Sequence, residues 1–316
     1  MKFSSTECLL DLYEEKKQLE DYQSGVPRWC TGCGDNAILT AVQRLCRDEG
    51  LRPEKTVFVS GIGCSSFPHY MKTYGIHSIH GRALPIAEGI RLARPDLKVF
   101  VNTGDGDCCS IGAAHWIHAI RYNMNLTVFL HDNQIYGLTK KQASPTSPIG
   151  TKSNTTPRGS YLDGLNPLTV TLGVANVSFV AQAVDWIPES LYQIVKAAYH
   201  HKGLSFVRIL QRCPEWLPAL HEQDMQNPEH IQLLHHENAL EISPTLAKVY
   251  RNQLHHDPLD IHRAREIASI TDKVPVGILY QNPAVPCYED TRQTGVMHTA
   301  ESVRKGLDYE FDKYSV

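Results

Sequence analysis

The sequence predicts an α/β fold organised around an open, doubly wound and mainly parallel sheet. Five short apolar runs, rich in β-branched and aromatic residues, have the length of buried strands. They lie at residues 56–59, 98–103, 126–130, 178–181 and 205–209. Segments with the apolar spacing of helices alternate with these runs, and strands joined by a right-handed helical crossover run parallel. The chain has 316 residues, which is enough for a full hydrophobic core.

Helices are predicted before and between these strands. They are expected at residues 7–20, 35–49, 85–92, 110–121 and 188–200. The buried side of the fourth helix is predicted from the apolar residues at helical spacing, which are Ile111, Ala114, Ile117 and Ile120.

The remaining segments predict the domain organisation. Residues 142–161 form a loop rich in Ser, Thr, Pro and Gly, and loops of this length are more often functional than idle. Beyond residue 217 only residues 276–280 are predicted as a strand. We therefore expect a helical extension (1–24), a domain that carries the motifs (25–216) and an extended C-terminal arm (217–316) that packs on this domain or on a partner subunit.

The composition narrows the class of protein. A formal charge of −3 gives no basic surface for nucleic acid, and no apolar run reaches the length of a membrane span. The N-terminus is charged where a secretory signal would be apolar, so we expect a cytoplasmic protein. Nine cysteines in that compartment are more consistent with metal ligands and buried thiols than with disulfides.

Polar motifs follow two neighbouring strands of the predicted sheet. Gly104-Asp105-Gly106-Asp107 follows the second strand, and Asn133 follows the third. A βαβ unit brings both to the carboxyl ends of parallel strands, where α/β folds bind ligands. The carboxylate of Asp105 and the amide oxygen of Asn133 are ligands that Mg²⁺ prefers, and the helix start at Gly106 and Asp107 offers N–H groups to phosphate. The sequence therefore predicts a Mg²⁺-diphosphate site.

Four cysteines are expected near the same edge of the sheet. Cys30 and Cys33 form a Cys-x-x-Cys pair, and Cys64 and Cys213 follow predicted strands. The pair alone allows a structural zinc, a redox dithiol or an iron–sulfur site. Zinc needs two more ligands, usually close in sequence, and a thioredoxin-type dithiol opens a helix after a strand; neither pattern is present. Four thiolates beside a diphosphate suit a [4Fe–4S] cluster, although this spacing does not specify one by itself.

Together, these motifs resemble the β subunits of 2-oxoacid:ferredoxin oxidoreductases, from Trp29 to about Trp216. The segments that carry the resemblance are Trp29-Cys30-Thr31-Gly32-Cys33-Gly34, Gly61-Ile62-Gly63-Cys64-Ser65, His80-Gly81-Arg82, the Gly-Asp-Gly to Asn133 thiamine-diphosphate motif, and Cys213-Pro214. The segment from Gln134 to Lys140 is similar to the bacterial 2-oxoglutarate type.

The resemblance implies a role for each site residue, carried over position by position. The Mg²⁺ ligands would be Asp105, Asn133 and the backbone carbonyl of Ile135. The [4Fe–4S] ligands would be Cys30, Cys33, Cys64 and Cys213. Thiamine diphosphate would be bound by Ile62, Gly63, Cys64, Ser65, Gly104, Gly106, Asp107, Gly137 and Leu138, with His80 as the catalytic side chain beside it.

The resemblance also implies an activity, namely oxidative decarboxylation of 2-oxoglutarate with coenzyme A, or the reverse carboxylation, with electrons passing to ferredoxin. The sequence offers no candidate for the Glu that activates the thiamine pyrimidine. The family takes this Glu from an α subunit, which implies an αβ or (αβ)₂ assembly. One expected residue, often basic, is missing between Ser66 and Pro68, so pyruvate and branched-chain 2-oxoacids stay open as substrates. A non-catalytic iron–sulfur carrier and a zinc-stabilised interaction module are the alternatives from other classes.

Other residues with reactive side chains are interpreted as structural or solvated. Cys108 and Cys109 are interpreted as small residues at the start of a crowded helix, and Glu88 as a surface carboxylate. The remaining candidates are interpreted as surface groups, because adjacent side chains diverge on helices and strands and single loop lysines are usually solvated; they are His200-His201, His235-His236, His255-His256, Lys140, Lys141 and Lys152.

Overall fold

The structure is a computed structural model that describes residues 17–237, 239–292 and 299–314. Most of the helix predicted at residues 7–20 lies outside the described residues; within them a short 3₁₀ turn spans Leu19–Tyr22. No helix in these ranges is long and apolar enough to cross a membrane.

A nine-stranded sheet forms the centre of the described chain, and a separate hairpin joins two short strands. In chain order the strands are β1 (Thr56–Ser60), β2 (Tyr74–His77), β3 (Lys98–Gly104), β4 (Leu126–Asp132), the hairpin strands β5 (Ile135–Tyr136) and β6 (Gln142–Ala143), β7 (Phe179–Val184), β8 (Leu204–Leu210), β9 (Ile231–His235), β10 (Gln253–His255) and β11 (Val274–Gln281). The sheet order is β10-β9-β11-β7-β8-β4-β3-β1-β2. All neighbours are parallel except β11 and β7, which confirms the predicted mainly parallel α/β fold.

The helices of the described residues alternate with the strands. They are α1 (Asp35–Asp48), α2 (Ala83–Ala93), α3 (Ala113–Tyr122), α4 (Pro167–Leu172), α5 (Pro188–His200), α6 (Glu222–Gln226), α7 (Pro244–Val249), α8 (Ile261–Ala268), α9 (Tyr288–Arg292) and α10 (Ala300–Asp312).

The sheet is covered on both faces by two hydrophobic clusters. One contains Phe58, Phe100 and Phe129 together with apolar residues of α1 and α5. The other contains alternate strand residues such as Val57 and Val99, together with residues of α2 and α3. Because successive strand side chains point to opposite faces, the continuous apolar runs in the sequence supply both clusters. The sheet is therefore doubly wound, as predicted.

The predicted buried side of α3 was wrong for Ile111 and Ala114. Ile111 is 55 % exposed and Ala114 is also exposed, whereas Trp116 and Ala119 are buried. A π-helical turn at Asp107–Ile111 precedes α3. Such a turn holds an extra residue compared with an α-helical turn, so it shifts the face that the following residues present to the core.

Three strands of the sheet, β2, β9 and β10, were not predicted, and β11 is longer than the predicted strand at residues 276–280. The prediction treated residues 74–77 as loop, but they form β2, an edge strand whose four residues are all exposed. Beyond residue 217 the sequence predicts one strand, and the structure has three, β9, β10 and β11. These three add to the sheet beside β7.

Candidate cofactor and cluster site

The two halves of the Gly-Asp-Gly and Asn133 motif meet at one edge of the sheet. Strands β3 and β4 are direct neighbours, with Gly104 paired to His131, so Asp105 and Asn133 follow adjacent strand ends. A single cavity lies there. Its lining includes all the residues predicted to bind thiamine diphosphate or Mg²⁺, namely Ile62, Gly63, Cys64, Ser65, His80, Gly104, Asp105, Gly106, Asp107, Asn133, Ile135, Gly137 and Leu138.

Asp105 is a buried carboxylate without a basic partner among the described residues. Its Oδ2 accepts a hydrogen bond from Thr146 Oγ1 at 2.8 Å, and the same hydroxyl lies 2.8 Å from Asp132 Oδ1. Asp132 has its own cation, Arg208, with Nε–Oδ2 at 2.7 Å. Burial and the charge of Asp132 raise the pKa of Asp105 to about 7. A divalent cation would supply the missing positive charge, and carboxylate oxygen is a suitable ligand for Mg²⁺.

The Asn133 loop turns back on itself and packs against the other half of the motif. Asn133 Oδ1 accepts from the Ile135 N–H at 3.1 Å, and Gln134 has the left-handed φ of 59° that this turn requires. The Tyr136 hydroxyl donates to the Gly106 carbonyl at 3.0 Å. A Cβ on Gly106 would lie 2.1 Å from Tyr136 Cε1, so only glycine admits this close approach.

The Asp107 carboxylate is used within the protein and not by the cavity. It accepts from the Gly81 N–H at 2.7 Å, from the Ile62 N–H at 3.3 Å and from Thr103 Oγ1 at 2.7 Å. It also pairs with His80 Nδ1. The side chain therefore holds two loops of the cavity wall together, which leaves the backbone N–H of Asp107 and the Nε2 of His80 for a ligand. Sequence spacing gave no signal for this role.

The donors around the cavity fit a diphosphate with a hard cation. Oxygen ligands are present in Asp105, Asn133 and the Ile135 carbonyl, and N–H groups are present at the helix start. Ser65 Oγ is buried and has no hydrogen-bond partner among the described residues. It lies only 3.4 Å from the position that a Cβ on Gly104 would take. A bound phosphate would satisfy this hydroxyl, which is costly to leave unpaired.

The four predicted cluster cysteines line a second cavity that adjoins the first. Cys30, Cys33, Cys64 and Cys213 all contribute to its wall. Several residues line both cavities; they are Gly63, Cys64, Asn133, Gly137, Leu138 and Gln211. A Cβ on Gly137 would lie 3.5 Å from Cys64 Sγ, so the diphosphate turn and this thiol are packed against each other.

Burial disfavours the thiolate form of three of these cysteines, so a positively charged ligand would help them to ionise. Burial raises the pKa of Cys33 and Cys213, and it raises that of Cys64 to about 12. Tetrahedral zinc with Zn–S bonds near 2.3 Å would place its sulfurs about 3.8 Å apart. No three of these thiols, all within the described chain, meet within 4.8 Å of one another. The arrangement therefore fits a larger polynuclear centre better than a single zinc ion.

A buried polar chain runs from one cavity wall to the other. The Cys33 thiol lies 3.5 Å from Asp35 Oδ2, and Asp35 Oδ1 lies 2.7 Å from His131 Nδ1. His131 lines the cofactor cavity, and its Nε2 contacts Asn102 Oδ1 at 3.1 Å. Sequence reasoning missed both Asp35 and His131, because neither belongs to a recognisable motif.

Comparison with known proteins places this fold in a family. A 2-oxoacid:ferredoxin oxidoreductase β subunit from Saccharolobus solfataricus is 38 % identical over 264 residues, which is 83 % of this chain and 84 % of that protein. The chain belongs to the β subunits of the 2-oxoacid:ferredoxin oxidoreductases. Residues 61–209 match the thiamine pyrophosphate enzyme C-terminal TPP-binding domain, and residues 246–295 match the C-terminal family of the pyruvate ferredoxin oxidoreductase β subunit.

Two further similar proteins are named as 2-oxoglutarate oxidoreductases. The KorB subunit of 2-oxoglutarate oxidoreductase from Mycobacterium tuberculosis is 53 % identical over 188 residues, which is 59 % of this chain and 50 % of that protein. The structure of 2-oxoglutarate:ferredoxin oxidoreductase from Magnetococcus marinus, with 2-oxoglutarate, coenzyme A and succinyl-CoA bound, matches with a TM-score of 0.78 and 33 % identity. The match covers 93 % of this chain and 97 % of that chain. The family resemblance identified from the motifs is confirmed.

In this β subunit some residues outside the motifs lie where the sequence did not predict them. Glu88 is not a surface carboxylate. It is half-buried, its Oε1 has no partner among the described residues, and burial raises its pKa to about 7. Residues 142–161 reach the site through Thr146. Cys108 and Cys109 are buried and line neither cavity.

Proposed function

We propose that this β subunit holds thiamine diphosphate, Mg²⁺ and a [4Fe–4S] cluster, and that with an α subunit it converts 2-oxoglutarate and coenzyme A to succinyl-CoA and CO₂. A cluster held by the four cysteines would pass the two electrons of this oxidation to ferredoxin, and the same residues would serve the reverse carboxylation. The observation that carries this proposal is that Asp105 and Asn133 share one cavity, and that this cavity adjoins the cavity lined by the four cysteines.

Thiamine diphosphate, when bound, supplies an electron sink for decarboxylation. The part of this chain is to hold and orient it. Asp105, Asn133 and the Ile135 carbonyl would bind the cation, and the N–H groups of Gly106 and Asp107 would bind the diphosphate with the Ser65 hydroxyl. The four cysteines would hold the cluster next to the cofactor, which suits electron transfer between them.

A partner subunit is supported by what the cofactor cavity does not contain. The carboxylates that line it are Asp105 and Asp107, and the first is the proposed cation ligand while the second is bonded within the protein. No described residue of the cavity lining is then left to face the thiamine pyrimidine as an acid, which supports the supply of this acid by another chain. Large apolar side chains are exposed at and beside the opening, where Leu138 is 62 % and Ile79 is 73 % exposed. Exposed apolar surface of this kind is typical of a protein interface.

A dicarboxylic substrate is supported by basic side chains in the lining of the second cavity, which also contains one carboxylate, Glu215. Arg28, His69, His77 and Lys140 all line it, and His69 Nδ1 lies 3.2 Å from His77 Nε2. These donors suit the distal carboxylate of 2-oxoglutarate, which pyruvate lacks. Phe67, the single residue between Ser66 and Pro68 where one more was expected, is fully buried against Trp29 and has no part in this surface.

The test is an anaerobic purification of this chain together with its α subunit. We expect about four iron atoms per β chain, and reduction of a low-potential viologen that depends on both a 2-oxoacid and coenzyme A. Among 2-oxoacids, kcat/KM should be highest for 2-oxoglutarate. A preparation that holds zinc in place of iron would contradict the cluster. A higher kcat/KM for pyruvate would contradict the substrate.

A further inference from the structure

Two of the histidine pairs in the sequence meet near the edge of the sheet that is opposite to β3 and β1. Strands β9 and β10 are parallel, and His235 is paired with His255 in the ladder. His236 and Glu237 follow β9 directly. The side chains of His236, Glu237 and His255 bring one ligand atom each within 4.8 Å of one another. This cluster shares no residue with the two cavities described above.

We propose that His236, Glu237 and His255 form a binding site for a divalent transition-metal ion of the Zn²⁺ type. His255 Nε2 lies 3.3 and 3.4 Å from the two carboxylate oxygens of Glu237, and His236 Nε2 lies 3.5 Å from Glu237 Oε2. Ligands placed tetrahedrally around zinc at 2.0–2.2 Å stand about 3.3 to 3.6 Å from each other. The two His–Glu separations match that geometry, and the ligand atoms of His236 and His255 lie within 4.8 Å of each other.

Each of the pairs His235-His236 and His255-His256 contributes one histidine to the site. The sequence did not reveal the site because the two ligands come from segments that are distant in sequence. Within the pair His255-His256 the side chains diverge, as expected. His256 is 3 % exposed and its Nε2 is 2.6 Å from the Leu279 carbonyl, whereas His255 is exposed. The parallel register of β9 and β10 then brings His255 to the loop that carries His236 and Glu237. The site therefore forms between β10 and the segment that follows its neighbour β9, and not between the two histidines of one pair.

The ligand set determines the class of ion. Two imidazole nitrogens and one carboxylate favour zinc and its neighbours over the hard ions Mg²⁺ and Ca²⁺, which take oxygen ligands. The side chains of Glu237 and His255 are 77 % and 55 % exposed, so solvent can complete the coordination. The ion would tie the short edge strand β10 to the end of β9. An imidazolium–carboxylate ion pair without metal is the alternative, and an exposed pair of that kind contributes little stability.

The experiment uses the complex purified anaerobically with its α subunit and its full iron content. Loosely held metal is removed with a chelator, and Zn²⁺ is then titrated calorimetrically. We expect one more Zn²⁺ site per β chain in the wild type than in His255→Ala, and a Kd weaker by about tenfold or more in Glu237→Gln. His262→Ala removes an exposed histidine of α8 and should bind as the wild type does.

Two results would overturn the proposal. One is a wild type that binds no more Zn²⁺ than His255→Ala does. The other is an equal loss in His262→Ala, since this would mark the binding as non-specific. The substituted side chains are solvent-exposed and remote from the core, and retention of the iron content and of the far-ultraviolet circular dichroism shows that each variant is folded. The readout is metal binding, so it does not depend on the proposed enzymatic activity.

Discussion

Asp105 and Asp107 are both buried carboxylates, but their surroundings differ. Asp107 accepts hydrogen bonds from two backbone N–H groups and from Thr103, and it pairs with His80. Asp105 faces the cavity with hydroxyl donors such as Thr146 and no basic partner in the described chain. A buried carboxylate whose negative charge is balanced by hydrogen bonds and a basic partner stabilises the folded state. A buried carboxylate without such partners destabilises the folded state until a cation binds to it.

Asp105→Asn and Asp107→Asn should therefore have opposite effects. Without added cofactor, Asp105→Asn should leave the free energy of unfolding unchanged or raise it, and Asp107→Asn should lower it by about 1–3 kcal/mol. Asp105→Asn should nevertheless lose Mg²⁺-dependent binding of thiamine diphosphate. Urea unfolding and calorimetric titration measure the two effects. Undiminished cofactor binding by Asp105→Asn would count against the site.

His77 provides a test of substrate choice at a single position. His77 Nδ1 lies 3.1 Å from Ser60 Oγ, and its Nε2 contacts His69. If its ring exchanges the contact with His69 for the distal carboxylate of 2-oxoglutarate, His77→Ala should lower kcat/KM for 2-oxoglutarate by about tenfold or more, since a hydrogen bond to a charged group contributes roughly 1.5–3 kcal/mol. The value for pyruvate should stay the same. The matched control is His118→Ala, because His118 is exposed on α3 and lines neither cavity. Equal losses for both substrates would assign His77 a structural role.

His201 is the residue whose surroundings predict a pH dependence of stability. The interpretation of His201 and His256 as surface groups was wrong, since they are 5 % and 3 % exposed. His201 Nε2 lies 2.9 Å from Ser178 Oγ, and burial lowers the pKa of His201 to about 4. The unfolded chain, with a histidine pKa near 6.5, therefore binds a proton between about pH 6.5 and 4 that the folded chain does not. The free energy of unfolding contributed by this group is complete above pH 6.5 and is lost as the pH falls to 4.

His201→Phe should remove this contribution. Between pH 6.5 and 4 the slope of the free energy of unfolding against pH should be smaller in the variant, by up to about 1.4 kcal/mol per pH unit. Urea unfolding at a series of pH values gives both slopes. Identical slopes in the two proteins would show that His201 is not the titrating group.

At the scale of elements, the π-helical turn before α3 is held by a close contact with the loop after β2. Gly81 has a φ of 74°, and a Cβ there would lie 2.7 Å from the Gly112 nitrogen and 2.8 Å from the Ile111 carbonyl carbon. Both the left-handed conformation and the contact with backbone atoms require glycine. The neighbouring His80 depends on this loop for its position beside Asp107.

Gly81→Ala should therefore lower the free energy of unfolding by more than backbone strain alone would. Gly50 has a similar left-handed φ of 58° but open space around it, so Gly50→Ala serves as the matched control for strain, at about 1 kcal/mol. We expect Gly81→Ala to destabilise the fold by a further 1–3 kcal/mol or so and to weaken cofactor binding. Thermal unfolding of both variants measures the difference. Equal destabilisation would show that the loop relaxes around the added methyl group.

Elements that are covered on both faces were predictable, and those defined by exposure or by local irregularity were not. Strands β1, β3, β4 and β8 and helix α5 agree with the prediction within a few residues, because a buried parallel strand is a continuous apolar run. Strand β2 has no such run, since its four residues are exposed. The π-helical turn adds one residue without any change in composition.

Within the site, too, some residues could be predicted from the sequence pattern and others could not. Asp105 and Asn133 were predictable because chain topology places the ends of neighbouring parallel strands together. Thr146 was not, since it reaches Asp105 from a loop 41 residues away and a lone threonine carries no pattern. The pairing of Asp107 with His80 also depends on tertiary contacts between two loops, which spacing does not encode.

At the scale of the whole molecule, the described chain contains one half of the proposed catalytic site. It supplies candidates for the cation ligands, the diphosphate contacts and the cluster, but no acid for the thiamine pyrimidine. The chain purified alone should therefore show no decarboxylation of 2-oxoglutarate, and addition of the α subunit should restore it. Viologen reduction with and without the second subunit measures this. Full activity of the isolated chain would contradict the missing acid.

The open edge at β2 has a consequence for how such a protein is made. Within the part of the chain that the structure describes, its backbone is hydrogen-bonded to β1 on one side only. Tyr74 and Ile76 are exposed on the same strand. An unprotected edge of this kind recruits strands from other chains. A newly synthesised chain that has not yet bound its partner subunit is therefore at risk of aggregation. Balanced production of both subunits should then increase the yield of intact protein.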